Sequence, residues 1–439
     1  MGPTTEHPLR YGLANELHAR PSPRIKAPAT CCFVAFKEPR DAANRDRARD
    51  LAHLTELTSR HGGPRPDPDE IHYQGQLGRY ELKWESHTEF VTYLAMVPGL
   101  PIRPFDPSVG AIFSEEWQQA APGKRIAAIM VQVEPLPDDP ARALARIADW
   151  FARDSLTSVW VLDESAMVAG DFRIDADGWM RFAVFVQPEL GEGRIGRIVH
   201  RLAELETYRA MSMLGLGRAR ELSRRLNELE PRLSGIVESM SDNSRSPDAV
   251  LHDLLEVSTE LEGQAVQHSF RFGATAAYEA IVMDRIAALR ETRFLGRQML
   301  TEFMRRRYQP AMRTVKSAEA RLVAMIDRTE RAGELLRTRV DVRRSAQNQE
   351  ILSRMDRRAD LQLRLQHTVE GLSVVAISYY AVGLLSYALA PLAAMAGVER
   401  GWLTAALTPV AVLSVWWGIR RIRHRLHDDS SDSDPLNMR

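Results

Sequence analysis

The chain has 439 residues, 58 basic and 58 acidic side chains, two cysteines and a mean hydropathy of −0.29. With 44% hydrophobic and 26% charged residues it is not a disordered chain, and two cysteines cannot staple a scaffold of this length. Its zero net charge argues against a general nucleic-acid binder. All but five of the basic residues are arginines, a skew that GC-rich coding produces by itself, so single arginines carry little weight.

In chain order, residues 1–28 are proline-rich and irregular, with no apolar stretch of the kind that forms a secretory signal. Strands are predicted at Thr30–Phe36, Ile71–Gln76, Arg79–Trp84, Phe90–Val97, Ile126–Glu134, Ser158–Leu162, Asp171–Ile174 and Trp179–Gln187. Helices are predicted among them at Asp41–Arg60, Ser114–Ala121 and Asp139–Phe151. The run from Asp175 to Gly178 is a hairpin-turn signal between the last two strands. The mixture predicts an α+β cytosolic domain with a mixed sheet over residues 1–190. Cys31 and Cys32 open an apolar run and read as strand interior.

From residue 191 the period changes. Leu202, Leu205, Leu222, Leu226, Leu229, Leu233 and Ile236 recur mostly three or four apart, the pattern of a long amphipathic helix. Residues 241–248 break it and supply a cap. A second helix is expected from about Asp248, broken or kinked at Pro310, and a third to about Arg344. These helices are expected to pair as coiled coils over 191–345, with a stalk helix over 346–370.

Gly371–Val398 contains no charged residue, nor does Gly401–Ile419, and only Glu399 and Arg400 separate them. Each run is long enough to cross ~30 Å of hydrocarbon. They predict a C-terminal two-helix transmembrane hairpin over 371–398 and 401–420, then a basic and finally acidic tail over 421–439. Arg354, Arg357, Arg358 and Arg364 precede the first span, and Arg420, Arg421, Arg423 and Arg425 follow the second. By the positive-inside rule both termini are cytoplasmic, with the last four arginines at lipid headgroups. Along the stalk, Asn348, Met355, Gln362 and Val369 recur every seven residues, with Leu352, Ala359, Gln366 and Ser373 between them. In a parallel homo-oligomer this stripe lines one axis, either as a coiled-coil seam or with Asn348, Met355, Gln362 and Ser373 facing a pore.

NELHARP at 15–21, KWESHTEF at 83–90 and the C-terminal apolar pair resemble an uncharacterised family of bacterial membrane-anchored proteins, with no activity to carry over. The order of parts also resembles the CorA-type magnesium transporters, in which an α/β domain leads through long helices and a stalk into two spans around a five-fold pore. That resemblance implies an oligomer in the bacterial cytoplasmic membrane and a cation path. CorA-type proteins end the first span with Gly-Met-Asn; residues 386–391 here read SYALAP, so the resemblance supports the architecture better than it supports transport.

Two polar clusters could bind a divalent cation or another ligand. One is Asn15, Glu16, His18 and Arg20; the other is Glu85, His87, Thr88 and Glu89, of which Glu85, His87 and Glu89 share a face if the segment is extended. A salt-bridge network holding the N-terminal arm is the plainer reading of both. Asp163, Glu164, Asp171, Asp175 and Asp177 read as turn residues, and residues 191–196, GEGRIG, as the start of a helix. No Walker loop, G-x-S-x-G, H-E-x-x-H or C-x-x-C motif occurs. Three functions remain: a CorA-like homo-oligomer conducting cations, a membrane-anchored sensor or scaffold, and a tethered enzyme using Glu16, His18, Glu85 and His87. Enzyme activity is the least expected, and the expected partners are the bilayer and further copies of the chain, not nucleic acid.

Overall fold

The computed structural model describes residues 6–16, 21–39, 45–68, 70–240, 245–395 and 400–431. It divides into two compact units, Met1–Glu334 and Leu335–Arg439.

The first unit is built on one mixed sheet. Its strands are β1 (Ala29–Lys37), β2 (His72–Leu77), β3 (Tyr80–Ser86), β4 (Phe90–Pro98), β5 (Lys124–Pro135), β6 (Thr157–Val161), β7 (Ala166–Ile174), β8 (Met180–Val186) and β9 (Thr292–Arg293), in the order β2-β3-β4-β1-β5-β8-β7-β6-β9. β5 and β8 pair in parallel and the other neighbours are antiparallel. Each strand expected from the sequence is present. β7 starts at Ala166 rather than Asp171, because Leu162, Asp163 and Glu164 all take left-handed backbone (φ 52, 59 and 63°) and turn the chain tightly after β6. β9 was not expected; two residues carry no periodic signal.

Helices cover both faces. On one lie α2 (Arg47–Arg60), a 3-10 turn at Pro107–Ile112, α3 (Glu115–Gln119) and α4 (Pro140–Trp150), packed on Cys32, Val34, Phe36, Trp84, Tyr93 and Phe185. On the other lies the start of α5 (Glu192–Ser239), whose Ile195, Ile198, Val199 and Leu202 meet Cys31, Phe33, Ile129, Val131 and Phe182. Burial on both faces explains why β1 reads as an unbroken apolar run. Both cysteines are free and buried, as strand interior. A short helix, α1 (Arg10–Glu16), lies in the segment that the sequence left irregular.

The GEGRIG sequence is the start of α5. Gly191 is its N-cap, and Gly196 lets the helix touch the chain at Pro23, whose carbonyl oxygen would lie 1.7 Å from a Cβ there. α5 pairs with α6 (Pro247–Leu289) in antiparallel fashion: Glu204 meets Arg285, Thr275 meets Ser212, and Arg225 meets Glu260. After α7 (Leu300–Arg307), the first part of α8 (Gln309–Met395) completes a three-helix bundle. Tyr308 shares a hydrogen bond with Ser212 at 2.8 Å, Arg321 reaches Asn227 and Glu230, and Lys316 pairs with Glu279. Val250, Leu254, Val257 and Leu261 on α6, and Met312, Val315, Leu322, Met325, Thr329, Ala332 and Leu336 on α8, are buried at heptad spacing.

Two expectations about the helices need correction. The second helix does not run to Pro310 but ends at Leu289, where Arg290 turns left-handed. Pro310 lies in the first turn of α8, where a missing N–H costs nothing, so it starts that helix instead of kinking it. Nor does a helix end near Arg344: α8 is a single element of 87 residues.

In the second unit, α8 includes the stretch 346–370 and the start of the apolar run, and α9 (Arg400–Ser431) includes Gly401–Ile419. Among the described residues one helix, α8, is both long and apolar enough to cross a membrane, with a mean hydropathy of 1.7 in its most apolar window and only 6% of that window buried.

Candidate functional site

The face of the sheet that meets α5 is apolar across β1, β5, β8 and β7 but turns polar at its β3–β4 end. Strand alternation puts Leu82 and Trp84 on the opposite face and leaves Lys83, Glu85 and Thr92 beneath the helices, all buried. Lys37, at the end of β1, and Glu89 join them.

The expected arrangement of Glu85, His87 and Glu89 on one extended face does not occur. β3 stops at Ser86 and β4 starts at Phe90, so residues 87–89 form the connecting turn, closed by His87 N donating to Phe90 O at 2.9 Å. Burial of Phe90, stacked on His87 and set edge-on to Tyr208, forces the reversal. Each carboxylate therefore takes its own partners.

Glu85 lies 3.2 Å from Lys83 Nζ and 3.4 Å from His200 Nε2 on α5. Burial alone raises a carboxyl pKa, but the hydrogen bond and charge of His200, with Lys83 and His87, outweigh it and hold Glu85 at about 2. Glu89 pairs through both oxygens with Arg271 on α6, accepts from Tyr278 Oη at 2.8 Å and faces Lys37 Nζ at 3.9 Å. Burial, then the bond and charge of Glu89, push the Tyr278 hydroxyl well up; burial, with Arg271 close by, pushes Lys37 down. Tyr208 stacks on Tyr278, 5.5 Å between centroids, and closes the seam.

The same turn is held from the other side of the sheet. Arg45, just before α2, donates to Ser86 Oγ at 3.0 Å and to the His87 carbonyl, and lies 2.9 Å from Asp50. Burial pushes Asp50 up to about 6 in spite of Arg45. Nearby His53 is fully satisfied. Its Nε2 bonds the Trp117 carbonyl at 2.9 Å, which only accepts, so Nε2 carries the proton and Nδ1 accepts from Tyr93 Oη at 2.8 Å. Burial pushes its pKa down. No sequence pattern marks Arg45, His53, His200, Arg271 or Tyr278 as partners of this segment.

The remaining candidates fall as follows. Asn15 and Glu16 end α1, and their side chains, with His18 and Arg20, lie outside the described residues. Among the described residues no three His, Cys, Asp or Glu converge as a metal would require. Asp171 and Asp175 accept backbone N–H groups in turns, and Asp163 pairs with Arg290. Asn348, Met355 and Gln362 are exposed on α8, and Ser373 donates to the carbonyl of Val369 at 2.8 Å. Arg420 and Arg421 lie over the rings of Trp416 and Trp417, 5.0 and 5.1 Å from their centroids; the side chains of Arg423 and Arg425 lie outside the described residues.

A mixed nine-stranded sheet tied by buried ion pairs to a long helix pair, with one further helix apolar enough to span a bilayer, defines the class of this protein: an α+β domain continued by long helices. The chain belongs to the family described as Protein of unknown function (DUF3422), which matches residues 5–426. Comparison with curated proteins found no match.

Proposed function

We propose that the protein is a membrane-anchored homo-oligomer of CorA-like architecture, with its stalks parallel around one axis and a path for cations along that axis. The apolar runs of α8 and α9 form the two-helix anchor in the bacterial cytoplasmic membrane, with both termini cytoplasmic. The observation that carries this reading is the surface of α8 beyond Leu336. The seam buried in the three-helix bundle continues, seven residues at a time, as Arg343, Glu350, Arg357 and Arg364, all charged and exposed. A different face carries Leu352, Met355 and Val369, which are 59, 61 and 62% exposed. Burying a side chain of this size is worth roughly 1.5–3 kcal/mol, and a lone helix in water has nothing to bury it against. A second copy in parallel register supplies the same face, with Gln362 and Gln366 as polar positions that set the register.

A second reading, an anchored sensor or scaffold without a conducting path, is favoured by SYALAP standing where a CorA-type protein has Gly-Met-Asn. Two measurements separate the readings. Met355→Cys in membranes is expected to give a disulfide-linked dimer; a monomer under oxidising conditions removes the oligomer. Purified protein in vesicles is expected to admit Mg²⁺ or K⁺ down a gradient, and vesicles that remain tight to both favour the scaffold.

A further inference from the structure

The net charge of zero conceals one strongly basic surface. Between Arg290 and Arg313 there are seven arginines and two glutamates. Both glutamates are occupied within this segment. Glu291 accepts the N–H groups of Leu300 and Thr301, both at 2.9 Å, and so caps α7. Glu302 accepts from Met299 N at 3.1 Å and pairs with Arg293, and the bond with Arg293 pulls its carboxyl down. Arg305 and Arg306, both exposed, make no hydrogen bond or ion pair among the described residues. They line an open depression of about 640 Å³ with Arg293, Gly296, Gln298 and Glu302.

The depression is built on a fixed loop. Phe294 is fully buried with its ring against Trp160, Arg297 N donates to Phe294 O at 2.8 Å, and Ser158 N donates to Gln298 O at 3.2 Å. Leu295 and Gly296 take positive φ, so the chain turns sharply and exposes its backbone at the rim.

We infer that this depression binds a phosphoanhydride chain, from inorganic polyphosphate or from a nucleoside triphosphate. Guanidinium forks match phosphate oxygens in pairs, and three of them around one depression suit a ligand with several adjacent charges better than a single carboxylate. Among the described residues no aromatic ring lines the depression, so none of them stacks a base there, as single-stranded nucleic acid binders do. The phosphates themselves are then what is recognised, and the base adds little.

The test is calorimetric titration of the full chain in detergent with inorganic tripolyphosphate, and separately with adenosine triphosphate. Both are expected to bind, with affinities within about threefold of each other, and binding is expected to weaken as salt rises from about 50 to 200 mM. Arg305→Gln with Arg306→Gln is expected to weaken tripolyphosphate by about tenfold or more. Arg225→Gln, on the α5–α6 contact, is expected to leave it unchanged. Absence of tripolyphosphate binding, or equal binding by the double variant, overturns the proposal. A DNA oligonucleotide that displaces tripolyphosphate with an affinity rising with its length overturns it in favour of a nucleic-acid surface. Circular dichroism confirms the fold of each variant; if the double variant unfolds, the exposed single change Arg306→Gln gives the same readout.

Discussion

Glu89, in the turn between β3 and β4, holds the guanidinium of Arg271 on α6, a residue 182 positions further along the chain. With Tyr278 and Lys37 on the same carboxylate, this contact ties the edge of the sheet to the helix pair, while Arg45 grips the same turn from the opposite face. The segment KWESHTEF thus works as a joint between layers.

Removing one partner of a buried ion pair leaves its cations without a counter-charge. Glu89→Gln strands Lys37 and Arg271 and is expected to cost about 3–5 kcal/mol, whereas Tyr278→Phe, which loses one hydrogen bond to a charged group, costs about 1.5–3 kcal/mol. Urea denaturation followed by tryptophan fluorescence ranks the two. An equal and small loss from both would mean that the seam is open to water.

The pH dependence separates Asp50 from Glu85. Asp50, pushed up to about 6 by burial, binds its proton more tightly in the folded chain than in the unfolded one, whose carboxyl titrates near 3.9. The fold therefore loses stability as pH rises from about 4 to about 6, by roughly 2–3 kcal/mol. His53, pushed down by burial, acts with the opposite sign in part of this window, so the comparison must be between variants. Relative to wild type, Asp50→Asn is expected to gain stability between pH 4 and pH 7, read as the shift in urea midpoint. Glu85, held at about 2, contributes stability that is complete above about 4.5 and is lost as pH falls from there toward about 2, almost wholly below that window.

Gly196→Ala is expected to be severe. The added methyl would sit 1.7 Å from the Pro23 carbonyl oxygen, and the clash is with backbone, which cannot rotate away. A loss of about 3 kcal/mol or more, or failure to purify as a folded protein, is the expected outcome. Gly217→Ala, on the same helix with open space around it, is the control and should be neutral or slightly stabilising.

The two cysteines should be silent toward thiol reagents. Burial pushes Cys32 up to about 12 and Cys31 higher still, so neither offers a thiolate near neutral pH. Maleimide at pH 7.5 is expected to label neither in the native protein and both in denaturant. Fast native labelling would show that β1 is not the buried strand described.

The sheet was legible where alternation or an apolar run marked a strand: β1 to β8 each follow such a signal. β9 was not, because Thr292 and Arg293 become a strand only by pairing with Val159 and Trp160. The site was half legible. Glu85 and Glu89 stood out with His87 as a carboxylate–imidazole–carboxylate run, which shares a face only if the segment is extended. Their partners His200, Arg271 and Tyr278 sit on helices whose own periodicity is unremarkable, and no local pattern reports a contact across 182 residues. Pro310 misled because a proline signals a break in mid-helix and a start in the first turn, and only the end of α6 at Leu289 decides between them.

The place of β9 has a consequence for biosynthesis. The sheet is completed by a strand at 292–293, about 80 residues before the apolar run begins at Gly371. At roughly 5–20 residues per second, every strand of the sheet has been made for several seconds before the apolar run emerges from the ribosome. The sheet can therefore assemble while the chain is still growing, and on the membrane-anchored reading proposed above insertion would follow the folding of the α+β domain.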